Sequence, residues 1–234
     1  MKKVISLGLL VVLIVISIVY INSQQNIDIP FNLNPKVNIP ITKNTLIVPS
    51  VECPVDKDND TLDDLKDIIG GARAEVERQP NYHSAYYAGG YPPDDEGVCT
   101  DLVWRSFRDA GYNLKELVDK DIKNNINDYP RVEGKAEPNI DFRRVPNLLV
   151  FFKKYATNLV TVIKPNDIEN LSEWQGGDIV IFGSPLWHIA IVSDKRRSDG
   201  VPYIIHNSGP TPREEDYILD WPSPMVGHFR FPKY

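Results

Sequence analysis

The chain has 234 residues, 42% hydrophobic and 25% charged, a globular composition rather than that of a disordered or collagenous chain. Its 26 basic and 32 acidic residues leave a net charge of −6, which argues against a nucleic-acid partner. Two cysteines are too few for a disulfide scaffold or a cysteine-rich zinc module.

Met1-Lys2-Lys3 leads into an apolar run over 4–21, interrupted only by Ser6, Gly8 and Ser17. At ~1.5 Å per residue such a run just spans a hydrocarbon core of ~30 Å, and the lysines before it favour an N-inside orientation. Residues 1–21 therefore read as an uncleaved transmembrane anchor, with a cleaved signal peptide as the competing reading. Either one places the rest outside the cytoplasm, membrane-anchored or, after cleavage, secreted. Residues 22–52 carry Pro30, Pro35, Pro40 and Pro49, a spacing that blocks helix and central strand and predicts an extended linker. The folded part is expected from Cys53 onward, an acidic segment over 53–68 followed by one domain over 69–234, acting as a monomer.

Asp56, Asp58, Asp60, Asp64 and Asp67 occupy positions 1, 3, 5, 9 and 12 of a twelve-residue loop. That spacing suits calcium, which takes six to eight hard oxygens, with the carbonyl of Leu62 filling position 7. Thr61 stands where a glycine is expected, and Asp67 stands in place of a bidentate Glu, as in dockerin and thrombospondin-type loops. The plainer reading is an acidic cap for the helix that follows. Leu62, Leu65, Ile68, Ile69, Ala72 and Val76 recur at helical spacing, and that helix ends before Pro80.

A turn-rich aromatic loop, Tyr86 to Pro93, leads to Gly97-Val98-Cys99-Thr100-Asp101 and a short amphipathic helix stopped by Gly111. Cys99 is thus expected at a helix start, where unpaired N–H groups favour a thiolate. Asp94, Asp95 and Glu96 oppose this unless they point away. Strands are predicted for Ile179–Phe182, 188–193, 202–207 and 225–231. On its strand His188 shares a face with Ala190 and Val192, while Ile189 and Ile191 enter the core. If adjacent antiparallel strands carry His188 and His206, their rings can meet. A cysteine at a helix start, facing a histidine oriented by a second polar group, is the minimum for an activated thiol.

The order of these features resembles the NlpC-type cysteine peptidases of the papain-like superfamily: Tyr86-x-x-Gly89-Gly90, Cys99 opening a helix, Gly177-Asp178 before a strand, His188-Ile-Ala-Ile-Val, then Ile205-His206. More closely, Gly97 to Asp101, Asn139 to Asn147, His206-Asn207 with Glu214-Glu215-Asp216, and Gly227-His228-Phe229-Arg230 resemble the bacterial domain-of-unknown-function family 1287. The resemblance implies an α+β, papain-like fold, helices first and then a small antiparallel sheet. It implies Cys99 as nucleophile, His188 as base and His206 as its orienting partner, with Asn207 the alternative. The Cys99 N–H and the Tyr86 hydroxyl would stabilise the oxyanion, with Tyr87 and Tyr91 close enough to substitute. Cys99 is followed by Thr-Asp rather than the Ser-Gly of the NlpC pattern, and a long insert separates its helix from the strands.

In that insert Asp141, Arg143 and Arg144 precede a helix that Pro146 starts. With Asp101, Arg143 and Arg144 are candidate substrate-binding residues, since a guanidinium fork suits the carboxylates of peptidoglycan stem peptides. The plainer reading is an Asp–Arg clamp. The expected activity is hydrolysis of an amide, in peptidoglycan or another peptide substrate. Two alternatives are an acyltransferase of the same fold and a non-catalytic, calcium-stabilised wall-binding module with Cys99 paired to Cys53.

Overall fold

The computed structural model describes residues 45–234. The expected anchor or signal peptide over 1–21, and the linker as far as residue 44, lie outside the described residues. Among the described residues no helix is long and apolar enough to cross a membrane.

The first helix, α1 (Asp64–Arg78), begins where Asp63 caps it by accepting the Lys66 N–H, and closes at Gln79 in the left-handed region. Two short strands, β1 (Asn81–Tyr82) and β2 (Glu96–Gly97), pair in parallel and deliver the chain to α2 (Cys99–Asp109). Helix α3 (Leu114–Asn124) and two 3₁₀ turns (Ile126–Asp128 and Asp141–Arg143) form the insert. It ends in α4 (Val145–Tyr155), which has proline in its first turn as the sequence predicts. Strand β3 (Thr157–Asn158) and α5 (Ile168–Ser172) lead into β4 (Ile179–Phe182), β5 (His188–Arg196), β6 (Pro202–His206), β7 (Arg213–Glu215) and β8 (Met225–Arg230). The result is an α+β domain whose antiparallel sheet runs β3-β8-β4-β5-β6-β7.

Both faces of the sheet are covered. Ile179, Ile181, Ile189, Ile191, Ile205 and Phe229 pack against the helices through Ile68, Leu102, Phe107, Leu148 and Phe152. The opposite face, with Val180, Phe182, Ala190, Val192 and Ile204, is covered by Leu171, Trp174, Val201 and Ile218. The face that carries His188 is therefore a second core, not a solvent face. Helices α1 and α2 meet so closely that a Cβ on Gly71 would stand 2.8 Å from the Ser106 backbone, which is why this mid-helix glycine is needed despite its cost of ~1 kcal/mol in helix propensity.

The last residues of the expected linker lie on the domain rather than free of it. Leu46 N–H donates to Ser198 O at 2.9 Å, and Gln175 bridges Pro49 O at 3.0 Å and Val51 N–H at 3.1 Å. Leu46 and Val48 join the apolar cluster beneath the second face.

Candidate functional site

Cys99 is the first residue of α2, and three contacts hold its approach. Asp101 reaches back to accept the Val98 N–H at 2.9 Å. Arg105, paired with Glu75 of α1 at 2.8 Å, donates to the carbonyls of Pro93 and Glu96 at 2.9 and 3.0 Å. Asn207, just after β6, donates to Gly97 O at 3.2 Å. The thiol accepts the N–H of Ile189, so it lies against the peptide that follows His188, and the N–H groups of Cys99 and Thr100 also point at it. Burial nevertheless pushes the thiol up to about 11, with the Asp101 charge adding to the rise. The expected thiolate is thus not the resting state. Loss of solvent outweighs the helix start, because the residue is only 7% exposed. The suspected acidic neighbours are not the cause: Asp94 and Asp95 are exposed, and Glu96 is held by Tyr87 and His83 at 2.6 and 2.9 Å.

The two histidines meet as their strands predict. Ile191 of β5 pairs with Ile205 of β6, a register that sets the small Ala190 opposite His206. His188 Nε2 and His206 Nδ1 are 2.7 Å apart, and His206 Nε2 lies 2.8 Å from Glu215 Oε1 on β7. Burial lowers both rings, and His188, next to His206, falls to about 3, so both are neutral at pH 7. Their tautomers follow from the carboxylate. Glu215 accepts only, so His206 carries its proton on Nε2 and accepts at Nδ1. His188 then donates from Nε2 and keeps a lone pair on Nδ1. The His188 ring stacks on Trp221, centroids 4.0 Å apart and planes 14° apart. Trp221 and Phe182 also line an apolar groove of about 440 Å³ beside it. Leu186 and Trp187, immediately before His188, are exposed.

Several expected residues sit elsewhere. The Tyr86 hydroxyl is tied to Glu137 at 3.1 Å and Asn139 at 2.7 Å, on the insert and 58% exposed. Tyr87 donates to Glu96, and Tyr91 to Asn113 at 3.2 Å. Tyr82, paired with Gly97 in the β1–β2 ladder and half-exposed, is the tyrosine within reach of the thiol's charge: desolvation raises its phenol, and the charges of Cys99 and Asp101 raise it further. Its neighbourhood depends on a long-range pairing, which no local pattern around Asn81-Tyr82 announces. Glu215 belongs to the Glu214-Glu215-Asp216 run of the family resemblance, and its bond to His206 likewise follows from the pairing of distant strands.

Asp101 and Arg143 are not free to hold a substrate. Arg143 grips Asp101 with two bonds of 2.7 and 2.8 Å and donates to Ala85 O at 2.8 Å, and both residues are buried. Asp101 also accepts from the Trp104 indole at 2.9 Å. Arg144 is bound to Asp141 at 2.9 Å and to the carbonyl of Arg131. The clamp replaces the expected carboxylate fork. Asn207, with Nδ2 on Gly97 O and Oδ1 on the Gly209 N–H at 3.2 Å, braces the loop before Cys99 and is not the third member of the histidine chain. Neither cysteine is in a disulfide, which removes the Cys53–Cys99 pairing.

In the acidic loop the carboxylates of Asp56, Asp58 and Asp60 converge, each accepting loop N–H groups at 2.8–3.2 Å. Thr61 takes φ of 85°, the conformation expected of the glycine it replaces. Asp64 is turned away: it accepts the Lys57 N–H at 2.7 Å and the Tyr112 hydroxyl, and is fully buried. Asp67 is buried on the first turn of α1, and burial together with Asp60, Asp58, Asp64 and Asp56 raises it to about 6.

An α+β domain with these histidine-bearing strands and a cysteine-led helix is thus the structural class. Residues 69–231 match the family described as Domain of unknown function (DUF1287), and the chain belongs to that family. It is 38% identical over 172 residues to the Escherichia coli (strain K12) protein described as "Uncharacterized protein YijF", an alignment covering 70% of this chain and 80% of that one. No solved structure matches.

Proposed function

We propose that the chain is an extracytoplasmic thiol hydrolase that cleaves an amide bond, with Cys99 as nucleophile and His188 as base. One arrangement carries the reading. The chain Glu215–His206–His188, with links of 2.8 and 2.7 Å, leaves an unshared lone pair on His188 Nδ1, and the Cys99 thiol lies against the next peptide. Because thiol and ring are both neutral at rest, proton transfer accompanies attack rather than preceding it. Sγ bonds to the carbonyl carbon as its proton passes to His188 Nδ1. The tetrahedral oxyanion takes donors from the unpaired N–H groups at the start of α2 and from the Tyr82 hydroxyl. His188 returns the proton to the leaving amine, water replaces it, and hydrolysis of the thioester restores the thiol. A cysteine helix followed by an antiparallel sheet carrying both histidines also favours an NlpC-type, papain-like arrangement.

Peptidoglycan is the substrate we favour. With Arg143 and Arg144 committed to Asp101 and Asp141, this choice no longer rests on a carboxylate fork. It rests on the apolar run over 4–21, read as an anchor or signal peptide, and on the NlpC resemblance. The test is mass spectrometry of purified peptidoglycan after incubation with the protein. Fragments gaining one water are expected, none with Cys99→Ala, and full activity with Cys53→Ser. Equal activity of Cys99→Ala and wild type would end the thiol mechanism. Fragments joined to an added amine rather than to water would make the chain a transferase.

A further inference from the structure

We propose that the loop over 56–67 is a calcium site built from Asp56, Asp58, Asp60 and Asp67, with Asp64 outside it. The first three each offer an oxygen within 4.8 Å of the others, though such a cluster in an exposed loop carries little weight alone. Asp67 supplies the second observation. It is 8% exposed, and its Oδ2 is enclosed and makes no hydrogen bond. A buried carboxylate oxygen without a partner is costly unless something meets it. Asp60, Asp58, Asp64 and Asp56 all lie near enough to act on the Asp67 carboxyl by charge, so it shares the field of the loop carboxylates. No side-chain cation fills the gap: Lys66 is paired with Asp63 at 2.7 Å, and Lys57 forms no ion pair among the described residues.

A cation at the centre satisfies that oxygen and quenches the repulsion among four carboxylates. An all-oxygen donor set selects a hard ion, and a flexible, partly exposed loop suits the larger coordination shell of calcium over the rigid octahedron of magnesium. The left-handed Thr61, uncommon for a β-branched residue, holds the sharp turn such a loop requires. The loop precedes residue 69, where the family match begins. It stands at the start of α1, whose Glu75 anchors Arg105 and thereby the approach to Cys99.

Calorimetric titration of calcium chloride into the full chain, in detergent and freed of metal with chelator, tests this. One saturable event with a dissociation constant of about 10⁻⁴–10⁻³ M is expected, with a melting temperature several degrees higher at saturation. Asp58→Asn with Asp60→Asn, and Asp67→Asn alone, should each weaken binding at least tenfold. Without calcium these variants should melt no lower than wild type, since they relieve repulsion, and alkylation of Cys99 should be unchanged. No saturable binding, equal affinity in wild type and both variants, or an equal response to magnesium chloride would each overturn the site.

Discussion

Two histidines in this fold are buried, stacked on a tryptophan and linked to a carboxylate, yet they are chemically unlike. His228 of β8 lies 3.8 Å from the Trp174 ring, planes 11° apart, much as His188 lies on Trp221. Its two nitrogens are spoken for, Nδ1 by Val160 O at 2.7 Å and Nε2 by Asp178 at 3.0 Å, and Asp178 is gripped in turn by Arg230 at 2.7 and 2.9 Å. His188 uses only Nε2, and the Cys99 thiol lies against the peptide N–H that follows it. The same ingredients thus give a structural rivet on one neighbour of β4 and a candidate base on the other. The difference is one unshared lone pair.

The sharpest way to break that contrast is to remove each ring. His188→Ala should lower the rate of amide cleavage by about 10²–10⁴, the usual worth of a general base. His228→Ala should leave the rate within about twofold and cost about 2–5 kcal/mol of stability, because it empties a buried site stacked on Trp174, while Arg230 still holds Asp178. Cleavage assays and denaturant melts on both variants decide it; a rate loss at His228 equal to that at His188 would erase the distinction. Next in size is Tyr82. Tyr82→Phe should cost roughly 10²-fold in rate if its hydroxyl meets the oxyanion, and Tyr86→Phe almost nothing.

The smallest effect concerns acid. His188 is held down to about 3 from an ordinary 6.5, so the unfolded chain binds a proton that the folded chain refuses between those values. Its stabilising contribution is therefore complete above pH 6.5 and is lost as pH falls toward 3, with a slope of at most about 1.4 kcal/mol per pH unit. His206 is lowered too and adds in the same direction. Denaturant midpoints between pH 7 and pH 4 should fall more steeply in wild type than in His188→Ala. Parallel curves would show that the buried ring does not set the acid limit.

How much of this was legible beforehand depended on whether a signal was local. Cys99 at a helix start, the four long strands and the meeting of His188 with His206 were readable, because helical and alternating periodicity are properties of neighbouring residues. Tyr82, Glu215 and the role of Arg143 were not, because each is defined by a partner distant in sequence: Gly97, His206 and Asp101. An arginine beside an aspartate in a loop looks the same whether it waits for a substrate or already holds a buried carboxylate. The resting thiol departs from the expectation for a related reason. A helix start is visible in sequence, but the depth at which it is buried is not.

The clamp on Asp101 bears on how far this domain can be trimmed. One carboxylate serves the Val98 N–H, the Trp104 indole and the Arg143 guanidinium, and the last comes from the insert. The insert therefore is not a detachable arm. A shortened version lacking it would leave a bare negative charge two residues from Cys99, lifting an already reluctant thiol further from ionisation. Anyone transplanting the cysteine and its histidines into a smaller scaffold would need to carry the arginine with them, although it touches none of the three.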